Sequence, residues 1–100
     1  MSHSSDIKAI NRTTTGSLVI GRARIRGIHV LAAATGNPQL VIRDGGSGGA
    51  TILDVKFSTN DSEDDATHSH TLFIPDDGIL SVNDPHLTLT NLTQVTVFYA

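Results

Sequence analysis

Apolar and polar residues alternate along much of this chain, and a period of two marks strands that bury one face. Structure begins at Ser17-Leu18-Val19-Ile20-Gly21 and runs on from Arg22 to Ala34. Arg22, Arg24 and Arg26 share one parity there; Ala23 and Ile25 share the other. Beyond Gly27 the arginine parity turns apolar, continued by Ile28 and Val30. A glycine inside a strand marks a bulge or a bend. The expectation is one long strand that kinks near Gly27 and is more buried after it. Gln39 to Asp44 reads as a second strand, entered through the turn Thr35-Gly36-Asn37-Pro38. Ala50 to Phe57 reads as a third, with Leu53, Val55 and Phe57 toward the core and Ile52, Asp54 and Lys56 opposite. His68 to Ile74, Ile79 to Val82, His86 to Thr90 and Gln94 to Tyr99 complete the set. In the last two, Leu87, Leu89, Val95, Val97 and Tyr99 form the inward set, with Thr88, Thr90 and Thr96 outward. Threonine is β-branched, so it favours strands while staying wettable.

About eight short strands, with turn signals roughly every eight to twelve residues, predict an antiparallel sandwich or small barrel. No segment holds a 3.6-residue period over three turns, and no solenoid repeat is present. Residues 1–16 are mostly polar, with Ile7 and Ile10 spaced for one helical turn. So short a helix is marginal alone. The expected organisation is a polar N-terminal arm over 1–16 and a β-sandwich domain over 17–100. The arm is either frayed or ordered on a neighbouring subunit.

Composition narrows the function classes. One hundred residues suit one domain, and 38% hydrophobic residues supply one modest core. Charged residues are only 17%, below the usual quarter, so Thr, Ser, Asn and Gly must cover much of the surface. Aromatics are 4% with no Trp, which argues against a base-stacking platform. A net charge of −3 argues against a polyphosphate partner. The absence of Cys excludes disulfides, thiolate metal sites and cysteine nucleophiles. No apolar run approaches the roughly 18 residues of a membrane span. The opening Met-Ser-His-Ser-Ser-Asp lacks the basic start and apolar stretch of a secretory signal. The chain therefore reads as soluble and unprocessed.

Arg22, Arg24 and Arg26 are the most distinctive local feature. Three guanidinium groups on one strand face repel one another unless carboxylates compensate, and bidentate pairing would fix such a contact. The acidic loop holding Asp61, Glu63, Asp64 and Asp65 is the candidate partner, within the chain or across an interface. The competing reading is a solvated strand face. His68 and His70 lie two apart and with His29, His86 or a nearby Asp could hold zinc. That spacing is not diagnostic alone, so ordinary polar strand positions are the simpler reading. The acidic run lacks the glycine and terminal glutamate of a helix–loop–helix calcium site. Gly45 to Gly49 has no Lys-Ser/Thr after it, which favours a hairpin linker over a phosphate loop. Three Asn-x-Ser/Thr triplets carry little weight without a secretory signal. No nucleophile elbow and no facing carboxylates are evident, so no catalysis and no cofactor are expected.

Gly16 to Ile28, the Leu40-Val41-Ile42-Arg43-Asp44-Gly45-Gly46 strand and loop, Phe73-Ile74-Pro75-Asp76-Asp77-Gly78-Ile79-Leu80 and Leu89 to Tyr99 together resemble a known group. They are similar to small virion structural proteins of short-tailed phages of marine and cyanobacterial hosts. The likeness spans residues 16–99 and is a pattern of strands and turns, not a catalytic signature. It implies a jelly-roll-like β-sandwich assembled in several copies on a virion, as a capsid cement or decoration protein or a tail component. The expected partners are further copies of the chain, in a homo-oligomer of three or more, and the major capsid protein or tail proteins. Neither nucleic acid nor membrane is expected, and the place of action is the virion, assembled in the host cytoplasm. The expected interface residues are Arg22, Arg24, Arg26, the arm with Ile7 and Ile10, and the loop Asp61, Glu63, Asp64 and Asp65. The rivals are a tail-tip carbohydrate-binding sandwich and a metal-dependent hydrolase built on His68 and His70.

Overall fold

The computed structural model describes residues 7–33, 37–57 and 69–100. The described residues form nine strands and no helix. These are β1 (Lys8–Arg12), β2 (Gly16–Ser17), β3 (Ala23–Ala32), β4 (Gln39–Asp44), β5 (Ala50–Lys56), β6 (Ser69–Phe73), β7 (Ile79–Ser81), β8 (Pro85–Thr90) and β9 (Leu92–Tyr99). Sheet A runs β1-β9-β3-β6, with β7 also paired to β3; sheet B runs β2-β8-β4-β5. All pairings are antiparallel. Only β4–β5 is a hairpin between neighbours within sheet B; most other connections cross from one sheet to the other. With β6 and β7 occupying one strand position, two four-stranded layers linked by such crossings make a jelly-roll sandwich.

The core follows the alternation. Ile10, Val97, Ile28 and Leu72 are cross-strand partners in sheet A, and Val97 and Ile28 are fully buried. Leu40, Ile42 and Leu87 of sheet B meet them from the other layer. Leu89 and Tyr99 pack against this cluster, as their parity requires. Ile52 and Leu53 both reach the core, because the β4–β5 register slips between Ile42 and Arg43 and leaves Ile52 opposite no partner.

Two expectations need correction. Parity does not run unbroken through Gly27. The β3–β9 register shifts between Ile25 and Gly27, so Ala23, Ile25, Ile28, Val30 and Ala32 all face inward. A β-bulge places two residues on one side against one partner, here Arg26 and Gly27 on the outer side. Ile28 and Val30 therefore do not continue the arginine face; they rejoin the core. On its other edge β3 meets β6 at Gly27 and β7 at Ile25. The chain between them, 74–78, loops out opposite Arg26, whose carbonyl accepts Ile74 N–H at 3.0 Å.

The second correction concerns the arm and the long strand. Lys8–Arg12 pairs with β9 along sheet A, with Ile10 opposite Val97, and Gly16–Ser17 joins sheet B. The edge of β9 organises residues that have little structure of their own. The long strand is interrupted between β2 and β3, where Val19 and Gly21 have φ of 60° and 73°. Residues 1–6 of the arm, residues 34–36, the loop holding Asp61, Glu63, Asp64 and Asp65, and His68 lie outside the described residues.

Candidate interaction surface

The outer face of sheet A is built in rows across its strands. One row runs Ala9, Phe98, Gly27 and Phe73. Gly27 presents no side chain, and a Cβ there would meet the Phe73 ring at 3.0 Å and the Leu72 carbonyl at 3.1 Å. Phe73 thus lies over the bare glycine and approaches Phe98, with ring centroids 6.5 Å apart and planes tilted by 32°. Tilted pairs at this range suit the ring quadrupoles. Phe73 remains 72% exposed and Ile7 54%. Together with Arg26, Ile74 and Phe98 they line a groove of about 280 Å³.

The adjoining row is polar: Asn11, Thr96, His29 and Thr71. Asn11 donates to the Thr96 hydroxyl at 2.9 Å, and His29 Nδ1 and the Thr71 hydroxyl are 2.8 Å apart. One face therefore joins an aromatic end to a wettable middle.

A second feature lies where the chain crosses from β2 to β3. The Asp84 carboxylate accepts three consecutive backbone N–H groups: Val19 at 3.1 Å, Ile20 at 2.8 Å and Gly21 at 2.9 Å. Successive N–H groups turned to one point form an anion nest. The nest requires left-handed backbone, and Val19 supplies it although a β-branched residue is strained there. The result is an isopropyl group held out at 81% exposure. Asp44 braces the same end of the sandwich. It accepts Asn83 N–H at 2.8 Å and the buried Ser81 hydroxyl at 2.9 Å. These donors hold its pKa below the ordinary carboxylate value.

The expected site residues fare as follows. Arg24 and Arg26 project outward from β3, while Arg22 falls in the exposed bend before it. None of the three guanidinium groups has a hydrogen-bond or ion-pair partner among the described residues. Ile10 faces the core and Ile7 the groove. Of the histidines of the zinc alternative, the three among the described residues do not converge. His29 is on the outer face of sheet A, and His86 is 3.2 Å from the Ser17 hydroxyl on sheet B. His70 turns inward, stacked on Phe57 with centroids 5.1 Å apart, and its Nε2 is buried without a partner among the described residues. Among the described residues no group of three or more His, Cys, Asp or Glu could hold a metal ion. No helix among them is long and apolar enough to cross a membrane.

Sequence reasoning named neither Phe73 nor Phe98 among the interface residues, although a signal for their outward placement was there. Phe73 shares parity with Ser69 and Thr71, and Phe98 with Gln94 and Thr96. No protein-family model matches the chain, and neither does any curated protein or solved structure.

Proposed function

We propose that this chain is a non-enzymatic structural protein of a phage virion, a capsid cement or decoration protein that self-associates and binds the major capsid protein. The observation that carries the reading is the groove of Ile7, Arg26, Phe73, Ile74 and Phe98. It combines exposed apolar side chains with a guanidinium that has no partner among the described residues. Clustered exposed apolar groups of this kind mark contact surfaces, and aromatic residues with Arg are the types enriched there. The resemblance of residues 16–99 to small phage virion proteins supplies the setting. A rigid double-layered fold suits a part that must hold its shape on a shell, where repeated weak contacts add up through avidity. Immuno-electron microscopy of virions from the phage that encodes the chain tests this. Label on the head supports a cement role, label on the tail moves the protein there, and unlabelled virions overturn the proposal.

A tail-associated carbohydrate-binding module is the second reading. It is favoured by the Phe73–Phe98 pair lying beside the polar row of Asn11, Thr96, His29 and Thr71. Rings that contact a sugar face and neighbouring groups that bond its hydroxyls are what such a site needs. A glycan-array signal lost on Phe73→Thr would establish it; a blank array would remove it.

A further inference from the structure

We infer that copies of this chain join head to tail, with Val19 of one copy seated in the Ile7–Phe73–Phe98 groove of the next. This rests on the self-association proposed above and names its two surfaces. Val19 is the most exposed large hydrophobic side chain among the described residues, so it does not fill the groove of its own chain. Nor is it exposed for want of an alternative. The N–H groups of Val19, Ile20 and Gly21 donate to the Asp84 carboxylate and hold Val19 in a backbone conformation that valine avoids. Strain maintained by a built network is a pointer to function. Here its effect is to present an apolar knob on a stiff loop.

The groove fits the knob. Its volume of about 280 Å³ is several times the roughly 30 Å³ share of a liquid water, so it has room for a branched three-carbon side chain. Its walls are the aliphatic side chains of Ile7 and Ile74 and the rings of Phe73 and Phe98, with Arg26 as the one charged lining residue. Beside the groove, the two carboxylates of the 74–78 loop outnumber the single Arg26 cation in its lining, which leaves a net negative rim for a cation of the next copy. Arg22, three residues beyond Val19, is exposed and unpartnered among the described residues. Asp76 and Asp77, three and four residues beyond Phe73, are exposed in the 74–78 loop and unpartnered in the same sense. In the proposed contact, Arg22 of one copy pairs with Asp76 and Asp77 of the other. Because knob and groove are different surfaces, the contact is heterologous; it closes into a ring or extends as a filament, depending on the rotation per step.

Two variants test this by mixing. Val19→Asn removes the knob while suiting the left-handed backbone; Phe73→Thr opens the groove at an exposed strand position. Each is examined by sedimentation velocity over a concentration series, with circular dichroism as the check on folding. The wild-type chain should form oligomers. Each variant alone should weaken association at least about tenfold, the effect of losing one buried apolar side chain. An equimolar mixture should recover assembly but stop at two chains, since each pair has one intact knob and one intact groove. Arg22→Asp should weaken assembly, and Asp76→Arg with Asp77→Arg should restore it. Wild-type-like assembly of Val19→Asn, or a mixture that stays monomeric, overturns the head-to-tail contact and leaves the virion role standing if virions are labelled. A wild-type chain that is monomeric at every concentration overturns the contact and the self-association on which it rests.

Discussion

Replacing Asp84 with alanine probes the network that shapes the β2–β3 crossing. The carboxylate takes N–H groups from Val19, Ile20 and Gly21 at 2.8–3.1 Å. Val19 and Gly21 are exposed and Ile20 is half-buried, so water replaces part of each bond. A net loss of about 1 kcal/mol per bond makes about 3 kcal/mol in all. Against that, the freed segment relaxes, and leaving the left-handed region returns about 1 kcal/mol to a valine. The expected change is a destabilisation of about 2 kcal/mol, or roughly 8–16 °C in Tm for a domain of this size. Asp84→Asn keeps one acceptor oxygen and should fall between. The chain has no Trp and one Tyr, so urea unfolding followed by far-UV circular dichroism is the suitable assay. Coupling to Val19 is the sharper readout. Val19→Asn should stabilise the wild-type background by about 1 kcal/mol by relieving strain. In the Asp84→Ala background it should do almost nothing, because nothing then enforces the strained conformation. A loss under about 0.5 kcal/mol for Asp84→Ala, or an equal gain from Val19→Asn in both backgrounds, would refute the reasoning.

Three further outcomes follow from packing and charge. Gly78→Ala should cost at least about 2 kcal/mol by urea midpoint, since φ is +80° and a Cβ would lie 2.3 Å from the Ile25 carbonyl. Ile28→Ala, at a fully buried position between the sheets, should cost about 2–5 kcal/mol, whereas Phe73→Thr on the outer face should cost under about 1 kcal/mol. Asp44 has a depressed folded-state pKa, so its contribution is complete above the ordinary carboxylate range near pH 4 and disappears as pH falls through the folded value. Asp44→Asn should therefore lower stability at neutral pH and flatten the acid limb of a stability–pH profile; an unchanged limb would remove Asp44 from that account.

Much of the sandwich was legible because most strands keep strict parity. Leu87, Val95 and Val97 alternate with threonines in the sequence and are fully buried in the fold. The misreadings share one cause: they depend on what lies across the sheet. Ile28 and Val30 change sides because Arg26 is an extra residue opposite β9, and an extra residue inverts every assignment beyond it. Lys8–Arg12 is a strand because β9 offers an edge, not because its residues favour one. Alternation reports which face a side chain takes; it does not report which strand is waiting to pair.

The candidate surface divides along the same line. Phe73 and Phe98 could have been placed outside from parity alone, since each alternates in step with polar residues. The interface expected from sequence was drawn from charged residues and the arm, so neither ring was named in it. Val19 is a different case. Nothing near it asks for a left-handed conformation, and a β-branched residue argues against one. The cause lies 65 residues away in Asp84, on the loop before β8, and exists only once β2 has paired with β8. An apolar side chain held outward by a distant carboxylate at a cost in strain has no counterpart in a one-dimensional pattern. The features that local propensity would reject, and that tertiary contacts nevertheless enforce, are therefore where interaction sites on a fold of this kind should be sought.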